Sequence, residues 1–304
     1  MLPGAQQSPS FGSSTDPLPH SGSRPIIDAI GTVSGVFGDR PPDADFMEQV
    51  HDPAVKVMEE ARANCSVSEE RQCHHRGNWT NLSAGDSMGG GQVHPGALVN
   101  GVVNTAVLVA LLSNLAFIMY AGFATGLLAT WAPNLFDFYV DYMKLFHHHY
   151  PNLHCPFLNG IWCAVTFNLG PMTCALGHRD FADLAFGWCA ITALGYFDYR
   201  KGGHVILWDC KLMIEFPPGT TILIPSTTIF HSNIPIVDGE HWYSFTQYTA
   251  GGIFRWIEHG FKSEEAYLVT LTKKEQEEEI ALGRQRAKEG IGLLSTLAQL
   301  QAMK

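Results

Sequence analysis

Between residues 187 and 249 the chain alternates short apolar segments with turns rich in glycine and proline. The segments 187–195, 204–209, 211–216, 220–225 and 240–249 are rich in aromatic and β-branched residues, as strands are. The turns between them include residues 198–203, with two glycines, and residues 217–219, with two prolines and a glycine. Short strands separated by such turns are typical of a sandwich or jelly roll. The sequence therefore predicts an α+β fold with a double-stranded β-helix (jelly-roll, cupin-like) core and flanking helices.

Two histidines and an aspartate lie at spacings that suit one metal ion. His178 and Asp180 are separated by one residue, and side chains at i and i+2 of an extended strand point to the same side. His231 follows 231 − 180 = 51 residues later, which leaves room for several strands to fold back. Two imidazoles and one carboxylate can hold one face of an octahedral ferrous ion. We therefore predict that His178, Asp180 and His231 bind iron; the alternative is that they are ordinary barrel residues.

The text around these residues resembles the Fe(II)/2-oxoglutarate-dependent dioxygenases, and among them the fungal members of the TET/JBP-type group. A weaker similarity extends upstream through His75-Arg-Gly-Asn78, 121–123 and 129–133, so that the resemblance covers roughly residues 74–261. The segments that carry it are His178-Arg-Asp180, 186–195, Lys201-Gly-Gly-His204, Leu207-Trp-Asp209, Glu215-Phe-Pro-Pro-Gly219, Ile224-Pro-Ser226, His231-Ser-Asn233 and 243–252.

The resemblance implies an enzyme that uses Fe(II), 2-oxoglutarate and O₂ to hydroxylate a C–H bond. Within the TET/JBP-type group it implies a substrate such as 5-methylcytosine in DNA, which makes DNA an expected partner. The net charge of −10 does not indicate a general nucleic-acid binder, because such proteins carry a basic stripe. A base-flipping enzyme needs only a local basic path to its pocket, so DNA remains compatible with this charge.

One position departs from the pattern of that family. The resemblance implies a basic residue on the strand after the second histidine, where it pairs with the far carboxylate of 2-oxoglutarate; this chain has Trp242 there. Tryptophan has one N–H donor and no charge. Ser244 and Arg255 are the candidate 2-oxoglutarate contacts in its place, and His241 is the candidate if the strand is shifted by one residue. A jelly-roll protein that has lost 2-oxoglutarate binding is thus an alternative, as is a dioxygenase for a protein or small-molecule substrate.

Composition divides the chain into three parts. Residues 1–45 are rich in Ser, Pro, Gly and Asp without periodicity, which predicts a disordered leader. Residues 46–261 are predicted to form the dioxygenase-like domain, helical over 99–150 and with its jelly-roll core over about 160–261. Residues 262–304 predict a helical tail. The tail carries four apolar residues that suggest a stripe on one helix: Ile291, Leu294, Leu297 and Leu300. This stripe either packs on the domain or forms a dimer helix, and nothing else in the sequence indicates an oligomeric state.

The stretch 97–135 carries no Asp, Glu, Lys or Arg, and by length it is a candidate membrane span. Polar residues interrupt it, no basic flank marks a cytoplasmic side, and Ser113-Asn114 is typical of a junction between two helices, with a new N-cap. We therefore predict buried helices rather than a membrane span.

The number of cysteines, seven, is odd, and the sequence shows no secretory signal. We therefore predict free cysteines and a reducing, intracellular location. For a protein that acts on DNA, that location would be the nucleus. Four of the cysteines are predicted to fall in apolar strands, where free cysteine packs as a small hydrophobe: Cys163, Cys174, Cys189 and Cys210. The triplet of histidines at 147–149 is predicted to be an exposed helix end rather than a metal site, because adjacent helical residues face different directions.

Overall fold

The computed structural model describes residues 22–303, apart from the side chains of residues 280, 281, 284 and 287. A π-helical turn at Met47–His51 leads into the first helix. The strands are β1 (Arg24–Ile27), β2 (Val33–Asp39), β3 (Cys73–His74), β4 (Gly77–Asn78), β5 (Asn81–Ser87), β6 (Gly96–Ala97), β7 (Ala164–Asn168), β8 (Cys189–Tyr196), β9 (Val205–Leu207), β10 (Leu212–Ile214), β11 (Thr221–Ile224), β12 (His231–Asn233) and β13 (His241–Tyr248). The helices are α1 (Asp52–Asn64), α2 (Glu69–Gln72), α3 (Val102–Ser113), α4 (Leu115–Trp131), α5 (Pro133–His149), α6 (Gly251–Glu258), α7 (Glu264–Leu268), α8 (Lys273–Gly292) and α9 (Leu297–Ala302).

Most of the strands join one large antiparallel sheet. Its eight strands lie in the order β1-β2-β11-β8-β13-β7-β5-β6, and a smaller antiparallel sheet has the order β10-β9-β12. Strand β13 is central: Ser244 lies opposite Ala193 of β8 on one side and opposite Asn168 of β7 on the other. The mixed helix-and-sheet class predicted from the sequence is confirmed.

Two strands lie in a segment that composition alone assigns to a disordered leader. Strands β1 and β2 form an antiparallel hairpin, and β2 continues the large sheet by pairing with β11. The Asp28 side chain accepts hydrogen bonds from the backbone N–H groups of Ile30 and Thr32, an Asx-type turn. Val33 and Val36 are fully buried. The prediction of a disordered leader over 1–45 is therefore wrong for 24–39; residues 1–21 lie outside the described residues.

The uncharged stretch forms helices α3 and α4, which meet at a bend of 64°. Asn114 Oδ1 accepts a hydrogen bond from Ala116 N at 2.9 Å, which confirms the predicted N-cap at the junction. Helix α4 packs on β2 and β11 and buries Phe117, Tyr120 and Leu128 completely. Within residues 22–303 no single helix is long and apolar enough to cross a membrane, whereas α3 and α4 together pass that test of length and composition.

The C-terminal segment packs on the rest of the chain. Leu294 and Leu297 contact the cluster of buried residues that contains Val33 and Val36, and Leu300 is part of it. Val33 N donates a hydrogen bond to Ser295 O, which ties this segment to the first residue of β2. Of the two alternatives for the tail, these leucines therefore pack on the domain.

Candidate metal centre

The two histidines predicted to bind iron face each other across an antiparallel bridge. His178 N donates to His231 O, and His231 N donates to His178 O, each at 3.0 Å. Asp180 N donates to Ser226 O at 3.0 Å, so the extended backbone continues past His178. This pairing explains the spacing in the sequence: His178 and Asp180 lie on one face of an extended segment, and β12 brings His231 beside them.

The metal-binding atoms of these residues converge. His178 Nε2 lies 3.7 Å from Asp180 Oδ1, and His231 Nε2 lies 3.9 Å from Asp180 Oδ2. The three side chains are largely buried, at 8 %, 16 % and 7 % exposure for His178, Asp180 and His231. Among the residues that the structure describes, they form one of two groups whose donor atoms lie within 4.8 Å of one another.

Both imidazoles are held in the orientation that a metal ligand needs. His178 Nδ1 lies 2.7 Å from Leu176 O, and His231 Nδ1 lies 2.9 Å from Ile229 O. Because a carbonyl only accepts, each Nδ1 carries the proton and each Nε2 presents its lone pair to the cluster. Burial, and then the neighbouring His231, lower the pKa of His178 to about 4, so its imidazole is neutral at pH 7. Two imidazoles and one carboxylate are the donor set of a ferrous site, and these residues fit that metal.

An arginine that the sequence did not single out as a site residue borders the cluster. Arg76 Nη1 lies 3.4 Å from Asp180 Oδ1, and the Arg76 side chain is 41 % exposed. Its only signal in the sequence is its place in His75-Arg-Gly-Asn78, in the weaker part of the resemblance. Arg76 adds a positive charge next to the carboxylate, and part of its guanidinium remains open to solvent.

The cluster lies in an open pocket whose empty space, part of it open to solvent, is about 590 Å³. Residues of both sheets line it, so the pocket opens between them. Its lining consists of Arg76, Trp79, Asn168, Thr173, Ala175, His178, Asp180, Ile191, Val205, Phe216, His231, Ser232, Asn233, Trp242, Ser244 and Thr246.

A chain of polar side chains crosses the pocket wall from Trp79 to β13. Trp79 Nε1 donates to Asn168 Oδ1 at 2.9 Å, and Asn168 Nδ2 donates to Ser244 Oγ at 2.8 Å. The Ser244 hydroxyl therefore accepts from Asn168 and keeps its own O–H for another acceptor. Ser244, the predicted 2-oxoglutarate contact, lines the pocket, and Trp79 and Asn168 are lining residues that the sequence did not indicate.

Trp242 also lines the pocket, and its indole N–H has no partner. Its side chain is 3 % exposed, and Nε1 is buried without a hydrogen bond among the described residues. Trp242 and Ser244 are two residues apart on β13 and thus point to the same side. Together they present two neutral donors where the family resemblance predicts a cation.

The two other candidates for that role lie elsewhere. Arg255 is exposed on α6 and does not line the pocket. His241 lies 3.4 Å from Glu59 with 44 % of its side chain exposed, and it does not line the pocket either. The structure therefore brings together His178, Asp180, His231, Ser244 and Trp242, but places Arg255 and His241 outside.

No protein-family model matches the chain, and no curated protein matches its sequence. The structure is similar to NgTET1 in complex with 5mC DNA, with a TM-score of 0.54 and 12% identity over 76% of this chain and 77% of that one. The chain has a 2-oxoglutarate-dependent dioxygenase-like fold. Two structures of the viral collagen prolyl hydroxylase vCPH from Paramecium bursaria Chlorella virus-1, one of them a 2OG complex, overlap 28% of this chain and 55% or 53% of theirs. Their identities are 18% and 16% and their TM-scores 0.22, so this overlap adds nothing on the fold.

Proposed function

We propose that this protein is an Fe(II)/2-oxoglutarate-dependent dioxygenase that hydroxylates a C–H bond. The observation that carries the proposal is the convergence of His178 Nε2, His231 Nε2 and the Asp180 carboxylate in an open pocket, with each Nδ1 tied to a backbone carbonyl. When bound, ferrous iron with 2-oxoglutarate and O₂ supplies the oxidant. The chain itself contributes a rigid ligand set on a bridge between two backbone segments and a pocket that orients the substrate.

We infer a double-stranded β-helix for the core that holds this site. Its support is that β12 of the smaller sheet and β8, β13 and β7 of the larger sheet all contribute pocket residues. In such a core the two sheets face each other and the pocket lies between them.

The pocket can bind 2-oxoglutarate without the expected basic residue at position 242. Arg76 lies beside the metal ligands and suits the carboxylate of the keto-acid end, because a guanidinium matches a carboxylate in charge and geometry. Trp242 Nε1 and Ser244 Oγ are two neutral donors for the far carboxylate. Neutral donors bind a carboxylate less strongly than a cation, so we expect weaker binding than in relatives with an arginine at this position.

We propose a modified base in DNA, such as 5-methylcytosine, as the substrate. Three aromatic side chains, Trp79, Phe216 and Trp242, line the pocket and give it flat apolar walls that suit a planar ring. Arg76 is the one Lys or Arg among the described lining residues, which is a local positive charge on a chain of net charge −10. A flipped base in its pocket, and a nuclear location, belong to the same proposal.

The test is to incubate the full chain with Fe²⁺, ascorbate, 2-oxoglutarate and a duplex that contains 5-methylcytosine, and to measure both succinate and the mass of the digested nucleosides. Oxidised 5-methylcytosine together with succinate, lost in His178→Ala, is the expected result. Succinate without base oxidation would overturn the DNA substrate in favour of a protein or small molecule. Metal binding without succinate formation would overturn the proposal of an enzyme and favour a jelly-roll protein that has lost turnover. The absence of a basic residue at position 242 supports that alternative.

A further inference from the structure

A second group of metal-binding side chains lies where α5, the loop after it and the large sheet meet. His147 is in the last turn of α5, Cys155 is in the following loop, and Cys163 immediately precedes β7. One donor atom of each residue lies within 4.8 Å of the others. The three belong to neither the pocket lining nor the iron ligands described above.

Asp86 of β5 lies beside this group. Asp86 N donates to Cys163 O at 2.7 Å, which holds β5 beside the cysteine. The neighbouring Gly85 has φ +105, and a Cβ there would collide with Cys163 O, so glycine permits this close approach. Asp86 Oδ2 lies 3.8 Å from His147 Nε2.

The facing atoms of Asp86 and His147 are buried and unsatisfied. The Asp86 residue is 2 % exposed, and neither its Oδ2 nor His147 Nε2 has a hydrogen-bond partner within the described part of the chain. A carboxylate oxygen buried without a partner is costly, and buried charges are normally paired or coordinate a metal. Their separation of 3.8 Å is too long for a hydrogen bond. A cation between these two atoms would satisfy both.

We propose that Asp86, His147, Cys155 and Cys163 bind a structural Zn²⁺ ion. Structural zinc sites are tetrahedral and use thiolate, imidazole and carboxylate ligands, the three donor types that meet here. Zn–S and Zn–N bonds of about 2.3 and 2.0 Å set neighbouring ligand atoms roughly 3.3–3.8 Å apart in a tetrahedron. The donor atoms of His147, Cys155 and Cys163 lie within 4.8 Å of one another, and Asp86 Oδ2 lies 3.8 Å from His147 Nε2; side-chain rotations would draw the four ligands into this range.

The ion would tie the end of α5 and the loop after it to β5 and β7, two strands that already pair with each other. Its ligands come from β5, the end of α5, the loop after α5 and the residue before β7. The orientation of His147 corrects the interpretation of the histidine triplet at 147–149. His148 and His149 are exposed, as predicted, but His147 faces inward to Asp86. Cys163 likewise has a second role beside that of a small packed residue; its Sγ lies 2.9 Å from Met143 Sδ in the core.

Cobalt substitution tests this site separately from the iron site, because only the proposed site contains thiolates. The full chain, purified and kept reduced, is stripped with chelator and titrated with Co²⁺ while thiolate-to-cobalt charge-transfer absorption is recorded in the near ultraviolet. We expect the band to saturate at about one Co²⁺ per chain and to be displaced by Zn²⁺. The band should persist in His178→Ala/His231→Ala, so failure of the proposed dioxygenase function would leave this result unchanged.

Variants and a measurement on the wild type keep the proposal falsifiable. Cys155→Ser should reduce the band to about half or less, because one of the two thiolate ligands is lost. His147→Gln should weaken Co²⁺ binding by at least about 10-fold, and Cys210→Ser, at an exposed cysteine, should change nothing. On unmodified protein, Zn²⁺ should protect Cys155 and Cys163, but not Cys210, from alkylation as mapped on peptides. Absence of the band together with unprotected thiols would overturn the proposal, as would a Cys155–Cys163 disulfide in protein purified without reductant and with Zn²⁺ present.

Discussion

Trp242→Phe tests whether the indole N–H contributes to cosubstrate binding. Trp242 Nε1 is buried in the pocket wall without a partner, while the ring packs against Phe197 at a centroid distance of 5.5 Å. Phenylalanine keeps an aromatic ring at this position and removes the donor. If the far carboxylate of 2-oxoglutarate accepts from this N–H, the hydrogen bond to a charged group contributes about 1.5–3 kcal/mol. Its loss should weaken 2-oxoglutarate binding roughly 10- to 150-fold.

The assay is calorimetric titration of 2-oxoglutarate into protein loaded with Mn²⁺ in place of iron, so that no turnover occurs. Phe197→Leu is the matched control, because it loosens the packing of the indole and leaves the N–H in place; Phe197 does not line the pocket. Equal 2-oxoglutarate affinity in Trp242→Phe and wild type would show that the indole N–H does not hold the far carboxylate, as would an equal loss in Phe197→Leu. Trp242→Arg should increase the affinity, since a charge-assisted pair contributes about 2–5 kcal/mol, less the cost of lost indole packing.

Three further predictions concern the pocket arginine, a helix cap and a buried histidine. Arg76→Gln should weaken 2-oxoglutarate binding in the same titration by at least about 10-fold, from the loss of roughly 1.5–3 kcal/mol. The control is Arg179→Gln, since the Arg179 guanidinium pairs with Asp209. Equal losses of affinity in the two variants would contradict a role for Arg76. Asn114→Ala should lower the free energy of unfolding by about 0.5–2 kcal/mol, the usual cost of an N-cap; unchanged urea denaturation would show that the junction of α3 and α4 does not depend on this cap. Burial lowers the pKa of His51 below its usual 6.5, so below pH 6.5 the folded protein binds fewer protons than the unfolded chain. The stability that neutral His51 contributes is therefore present above pH 6.5 and is lost as the pH falls through the folded-state pKa. His51→Gln should therefore make the fall in stability below pH 6.5 shallower, by at most about 1.4 kcal/mol per pH unit; an equally steep fall in urea titrations would contradict this.

Local signals in the sequence predicted the parts of the fold that depend on local chemistry. The turn at 217–219 ends with Gly219 at φ +82, a left-handed conformation that glycine adopts easily. Asn114 caps α4 as its position after Ser113 indicates. The iron-site prediction rests on the i, i+2 rule for His178 and Asp180, and the bridge to His231 brings the third residue beside them.

Contacts between distant segments account for what the sequence did not predict. Strand β2 is stabilised by pairing with β11, which lies far along the chain. The sequence of β2 itself, which contains Ser and Gly, does not indicate this partner. Arg76 meets Asp180, and Trp79 meets Asn168, only after the chain has folded. The inward orientation of His147 depends on Asp86, which lies on a different element. Three of the four cysteines assigned to apolar strands lie outside strands, because hydropathy alone does not mark where a strand begins or ends: Cys163, which immediately precedes β7, Cys174 and Cys210.

Succinate formation from 2-oxoglutarate is the measurement that tests the proposed enzyme most directly. Uncoupled turnover does not require the true substrate, so the assay can be run on the full chain with Fe²⁺, ascorbate and O₂ alone. We expect succinate from wild type, none from His178→Ala or His231→Ala, and wild-type levels from Cys155→Ser when that variant is folded. Wild type that binds Fe²⁺ but forms no succinate even at millimolar 2-oxoglutarate would contradict the proposed enzyme activity. Succinate that persists in both histidine variants would do so equally.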